Sequence, residues 1–225
     1  MLKSRGAFSA DQIREAQMLY AVTDSAWLRG RTLEECVRQA LEGGVTFVQL
    51  REKEASTAEL VELGRPLKAL CREFGVPFVI DDDIEAARIL DCDGVHVGQE
   101  DESCARARAV LGPDKIVGVS TQTVEQAQAA EEAGADYLGV GGVVTTSTKP
   151  EAWALTHQEF VDIANAVDIP VVAIGGVNKD TLDKLEGTGV AGVAVVSAIF
   201  AAEDIASSTA DLLEAVKGTD FGQVS

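Results

Sequence analysis

The chain is 225 residues long, and its 19 lysines and arginines against 37 aspartates and glutamates leave a formal net charge of −18. Its hydrophobic content of 46% with 25% charged residues is that of a folded globular protein, long enough for one large domain or two small ones. So acidic a chain excludes non-specific nucleic-acid binding and docking on an anionic membrane, and a phosphate-bearing ligand must be met by local cations, backbone amides or a metal ion.

In chain order the sequence predicts eight short apolar strands: Leu19–Thr23, Thr46–Leu50, Phe78–Asp82, Gly94–Val97, Ile116–Ser120, Tyr137–Val140, Val171–Ile174 and Gly192–Val196. Most are continuously apolar, as parallel strands covered on both faces are. Amphipathic helical stretches such as Thr32–Glu42, Thr57–Phe74, Val124–Ala133 and Asp204–Lys217 separate them. Eight such alternations over about 200 residues are the arithmetic of an α/β chain closed into a (β/α)8 TIM barrel. An open doubly wound sheet competes, but the first strand and its turn, beginning Tyr20-Ala21-Val22-Thr23-Asp24, lack a G-x-G-x-x-G fingerprint. No linker divides the chain. Residues 1–18 read as an N-terminal extension, 19–218 as a single barrel domain and 219–225 as a polar tail.

Other classes close quickly. Residues 1–6 show no apolar signal run, and the most hydrophobic stretch, Gly189 to Ala202, is broken by glycines and too short for a span, so a cytoplasmic protein off the membrane is expected. Cys36, Cys71, Cys92 and Cys104 form no C-x-x-C pair and read as reduced thiols. With His96 and His157 the only histidines, a His-rich metal site is excluded and a Ser-His-Asp triad disfavoured.

Barrel enzymes carry their chemistry at the C-terminal ends of the strands. After the second strand Gln49, Arg51 and Lys53 share a face by alternation and suit a phosphate or diphosphate, although a solvated charged loop would look the same. The third strand ends in Asp81-Asp82-Asp83, where each like pair at about 4 Å costs roughly 4 kcal/mol at an effective dielectric of about 20. Mg2+ would relieve that repulsion, with Asp83 read instead as the cap of the next helix. Asp101, beyond the fourth strand, lies on a neighbouring strand end and could share an ion with Asp82. His96 reads as a packed core residue rather than a general base. Ser120 ends the fifth strand as a candidate phosphate donor, and the hydroxyl-rich run Thr145-Thr146-Ser147-Thr148-Lys149 reads as an anion cradle or a lid. Gly175-Gly176 after the seventh strand and Val196-Ser197 after the eighth match the recurrent phosphate site of such barrels.

Together these motifs resemble the thiamine phosphate synthases (thiamine-phosphate pyrophosphorylases) from about Tyr20 to the C-terminal helix. The resemblance implies a Mg2+-dependent transferase that joins a hydroxymethylpyrimidine diphosphate to a thiazole phosphate, yielding thiamine phosphate and diphosphate. It assigns Gln49, Leu50, Arg51, Glu52 and Lys53 to the pyrimidine diphosphate, Asp82 and Asp101 to Mg2+, and Ser120 to the pyrimidine substrate. Thr146, Ser147 and Thr148 fall in the thiazole-phosphate loop and Lys149 matches the lysine that reaches the diphosphate. Gly176, Val196 and Ser197 complete the thiazole-phosphate site. Arg51, Lys53, Lys149 and Ser120 are the expected catalytic set. Small molecules are the expected partners, and the sequence leaves the oligomeric state open, a homo-oligomer included.

The chain also departs from that pattern. Asp81 stands where the family usually has asparagine, so the resemblance leaves it protonated, metal-bound or turned away, or else a burden on affinity. Gln122 replaces a frequent histidine, and Gly142, Val144 and Thr145 replace the usual proline and aromatic residue, which would loosen the loop they open. Two alternatives share the barrel: a thiazole tautomerase, which needs neither the acidic pair nor the 49–53 segment, and a non-catalytic barrel that binds thiazole phosphate or thiamine phosphate.

Overall fold

Strands β1 (Leu19–Val22), β2 (Phe47–Leu50), β3 (Phe78–Asp81), β4 (Gly94–Val97), β5 (Ile116–Thr121), β6 (Tyr137–Gly141), β7 (Val171–Ile174) and β8 (Gly192–Val195) pair in parallel in sequence order, and β8 closes on β1. This is the (β/α)8 barrel of the computed structural model, which describes residues 8–98, 104–144 and 154–222. Helices α1 (Ala10–Ala16), α2 (Leu33–Glu42), α3 (Thr57–Phe74), α4 (Ile84–Leu90), α5 (Cys104–Leu111), α6 (Val124–Glu132), α7 (His157–Asn165), α8 (Ser197–Phe200) and α9 (Ile205–Gly218) alternate with them. Between β7 and β8 the connection is a 3-10 helix, Lys179–Leu185.

Local sequence sets the helix starts. Ser9, Thr32, Ser56 and Thr156 each accept from the backbone three residues on, while the Gln or Glu found there reaches back to the cap's own amide. These reciprocal bonds satisfy donors that a helix otherwise leaves orphaned. Asp83 caps α4 through the Ala86 amide at 2.8 Å, as its position after β3 suggests.

Alternation along the strands divides the apolar residues into two cores. Leu19, Val48, Leu50, Phe78, Ile80, Val95 and Leu138 face outward and pack against the helices. Tyr20, Val22, Phe47, Val79, Ile116, Tyr137, Val172 and Ala194 face inward and fill the barrel, with Ile13 of α1 among them. The side chains that follow the inward residues toward the strands' C-terminal ends line the mouth. All four cysteines are buried, and no disulfide joins any two of them.

Candidate active site

β2 and β3 build the first side of the mouth. Gln49, on the inward face of β2, donates from Nε2 to Asp81 Oδ1 at 2.8 Å, and Arg51 Nε lies 3.5 Å from Asp81 Oδ2. Asp81 is therefore neither turned away nor left uncompensated: an amide and a guanidinium on the neighbouring strand meet its two oxygens. Because only the NH2 end of an amide can donate to a carboxylate, the Gln49 side chain has one orientation, with Oε1 directed away from Asp81. Thr23, just past β1, is fully buried and braces this segment, accepting the Arg51 amide at 2.9 Å and donating its own amide to the Gln49 carbonyl at 3.0 Å. Its hydroxyl also lies 3.4 Å from Glu52 Oε1. Lys53 is exposed. Leu50 points its side chain outward, toward α3, where a Cβ on Gly64 would lie 3.5 Å from Leu50 Cδ2, so only its backbone faces a ligand in the mouth.

Asp82 follows β3 with φ +60°, a conformation that side-chain-bearing residues adopt sparingly. Its amide donates to the His96 carbonyl at 2.8 Å and its Oδ1 accepts from the Gly98 amide at 3.2 Å, which ties the carboxylate to the end of β4. A hard carboxylate oxygen held at the rim is a donor that suits Mg2+, an ion that takes one or two carboxylates and completes its shell with water and phosphate oxygens. Asp101, the other expected ligand, lies outside the described residues, as do Thr145, Thr146, Ser147, Thr148 and Lys149.

Ser120, on β5, approaches the mouth from the opposite side. Its Oγ lies 2.9 Å from Nε2 of His96, whose Nδ1 is 3.0 Å from the Tyr137 hydroxyl, itself 2.8 Å from the Tyr20 hydroxyl. Burial lowers the His96 pKa to about 4 and raises both tyrosines well above their ordinary range, so the three rings are neutral near pH 7. His96 is thus the packed residue its strand suggests, but it is also wired to Ser120. Tyr20 and Tyr137, the chain's only tyrosines, escape a sequence reading because in a strand they pass for apolar bulk; their shared inward parity with Gln49 and Ser120 is the signal that marks them.

The far side of the mouth is glycine-built. Gly175 and Gly176 follow β7 at φ +95° and +74°, and a Cβ on Gly175 would lie 2.8 Å from Gly142 Cα. Backbone approach this close admits no side chain. The Gly175 carbonyl accepts from the Val143 and Val144 amides at 2.9 and 3.1 Å, and Leu155 donates to the Gly142 carbonyl at 2.9 Å. These bonds tie residues 142–144 to the turn after β7 and to Leu155. Gln122 adds a brace, donating from Nε2 to the Gly141 carbonyl at 3.2 Å. Val196 and exposed Ser197 open α8 beside this glycine turn. Arg31, which the sequence does not single out, grips the other end of α8 through the Phe200 and Ala202 carbonyls, at 3.1 Å each.

Comparison with known proteins follows the same outline. A family model described as thiamine monophosphate synthase matches residues 19–199. The thiamine-phosphate synthase of Syntrophomonas wolfei is 47% identical over 188 residues, covering 83% of this chain and 90% of that one. That of Clostridium acetobutylicum is 44% identical over 199 residues, covering 88% and 94%. Among solved structures, a Pyrococcus furiosus thiamine phosphate pyrophosphorylase superposes with a TM-score of 0.83 at 40% identity, over 92% of this chain and 98% of that one. The chain belongs to the thiamine monophosphate synthase family.

Proposed function

We propose that this protein is a Mg2+-dependent transferase that condenses 4-amino-2-methyl-5-(diphosphooxymethyl)pyrimidine with 4-methyl-5-(2-phosphooxyethyl)thiazole, giving thiamine phosphate and diphosphate. The observation that carries the proposal is the convergence on one barrel mouth of Gln49, Arg51, Asp81, Asp82 and Ser120, in a chain that matches the synthase family over most of its length. We assign Arg51 and Lys53 to the diphosphate, and the family resemblance adds Lys149 to that set. The glycine turn at 175–176, with Val196 and Ser197 at the end of the neighbouring strand, is the side we assign to the thiazole phosphate.

The chemistry asks little of a base. The carbon–oxygen bond to the diphosphate breaks and the thiazole nitrogen captures the resulting pyrimidine methylene cation. The protein's part is to hold the two substrates in line, exclude water and offset the charge that gathers on the leaving group. Buried His96, neutral and bonded at both nitrogens, is consistent with a reaction that needs no protonated imidazole. Asp82, with Asp101, would hold the Mg2+, which when bound supplies charge neutralisation for the diphosphate. The tautomerase alternative uses neither this acidic pair nor Arg51.

Arg51→Ala and Lys149→Ala each remove one cation from the leaving-group side. Each is expected to lower turnover by roughly 10²-fold or more while the circular dichroism spectrum stays that of the parent. Near-parental rates in both purified variants would contradict the assignment.

A further inference from the structure

Four polar side chains run in single file up the barrel interior, and the protons they carry can be counted. Tyr20 occupies the closed end, its ring centroid 4.4 Å from that of Phe47, and the Tyr137 hydroxyl is the one hydrogen-bonding partner of its own hydroxyl among the described residues. The Tyr137 hydroxyl next touches His96 Nδ1, and His96 Nε2 touches Ser120 Oγ at the mouth. Two glycines make room for the rings: a Cβ on Gly118 would run into the Tyr137 ring, and one on Gly139 would lie 3.0 Å from His96 Cε1.

A buried hydroxyl proton left without an acceptor is more costly than an oxygen that leaves one lone pair unused. Tyr20 must therefore donate to Tyr137, since no other described polar atom receives it. Tyr137 in turn has only Nδ1 left for its own proton, so Nδ1 is the bare ring nitrogen. The imidazole proton is then on Nε2 and points at Ser120. The opposite tautomer, or an imidazolium, would send a proton from Nδ1 toward Tyr137 and strand one tyrosine proton in the apolar interior.

We infer that Tyr20, Tyr137 and His96 form a one-way hydrogen-bond chain that holds His96 as the Nε2–H tautomer, so that the ring donates to Ser120 Oγ and cannot take the Ser120 proton as a base. His96 is a positioning residue. It acts through Ser120, whose proton cannot return along the chain. This deepens the proposed function and rests on it for the identity of the ligand, the pyrimidine substrate, but not for the direction of the chain.

The test begins on the unmodified full-length protein with 15N-labelled histidine. Only two histidines contribute to the spectrum, and His157→Gln assigns them. The expected result is His96 protonated at Nε2 and bare at Nδ1; protonation at Nδ1, alone or together with Nε2, overturns the chain whatever the enzyme does. The second part compares His96→Gln, whose amide N–H can stand in for Nε2–H, with His96→Leu. His96→Leu is expected to raise KM for the pyrimidine diphosphate roughly tenfold with KM for the thiazole phosphate unchanged, and His96→Gln to recover most of that loss. A merely structural defect would lower the active fraction and leave both KM values alone. Equal behaviour of the two variants, beside an Nε2–H ring, overturns the role of His96 in positioning Ser120. An Nε2–H ring in a protein that makes no thiamine phosphate supports the chain and overturns the transferase instead.

Discussion

Asp81 shows how one residue is made tolerable beside a polyanion site. A carboxylate here would repel a diphosphate, yet Gln49 bonds one oxygen and Arg51 lies 3.5 Å from the other, with side-chain exposures of 27% for Arg51 and 14% for Asp81. The consequence is competition, because the guanidinium that should meet the substrate is already half-engaged. Asp81→Asn keeps an oxygen for the Gln49 amide and releases Arg51 from its ion pair. It is therefore expected to lower KM for the pyrimidine diphosphate about three- to tenfold, within the range of a partly exposed charge pair. Steady-state kinetics on the purified variant checks this, and an unchanged or higher KM would mean that the Asp81 charge is not felt by the substrate. The clasp is not legible in the sequence. Alternation puts Gln49 and Arg51 on one face, but the β2–β3 register, with Gln49 opposite Val79 and Leu50 opposite Ile80, brings them beside Asp81. A stagger between strands is a tertiary fact.

At the scale of elements, the strands are legible because both their faces are covered. A continuous apolar run such as Val171–Ile174 has few other homes in a globular chain, and the observed bounds fall within a residue or so of those expected. The differences are local: β3 stops at Asp81 because Asp82 turns to positive φ, and Gly141 joins β6 through its pairing with Ile174. What the pattern hides is the interior. Tyr20 and Tyr137 look apolar in a strand, and the glycines that accommodate the rings look like loosened strand positions. Gly118→Ala tests that packing. Its methyl group would collide with the Tyr137 ring inside a closed barrel, so the variant is expected to lose roughly 1–3 kcal/mol of stability in urea denaturation. Gly218→Ala, where nothing lies within 4 Å of the added carbon, should change stability by no more than about 0.5 kcal/mol. Equal midpoints for the two variants would show that the ring is not tightly held.

For the whole molecule, charge frames the chemistry. A chain of net charge −18 repels anionic substrates at long range, so under the proposed function binding must draw on local cations such as Arg51 and Lys53, on backbone amides and on a divalent ion. The barrel can bring such groups together by gathering the ends of all eight strands on one face, which is why the location of the site follows from the strand count alone. For the loop carrying Thr146, Ser147, Thr148 and Lys149, and for Asp101, residue chemistry suggests an anion cradle or lid and a shared ion ligand, and only the family resemblance assigns individual roles, because no periodicity or register governs a loop. The most direct test of the account is diphosphate release by the purified protein, measured with both substrates, with each alone, and with chelator replacing Mg2+. The account predicts one diphosphate per thiamine phosphate formed, only when both substrates and Mg2+ are present. Substrate binding with no release, or release that continues unchanged in chelator, would contradict it.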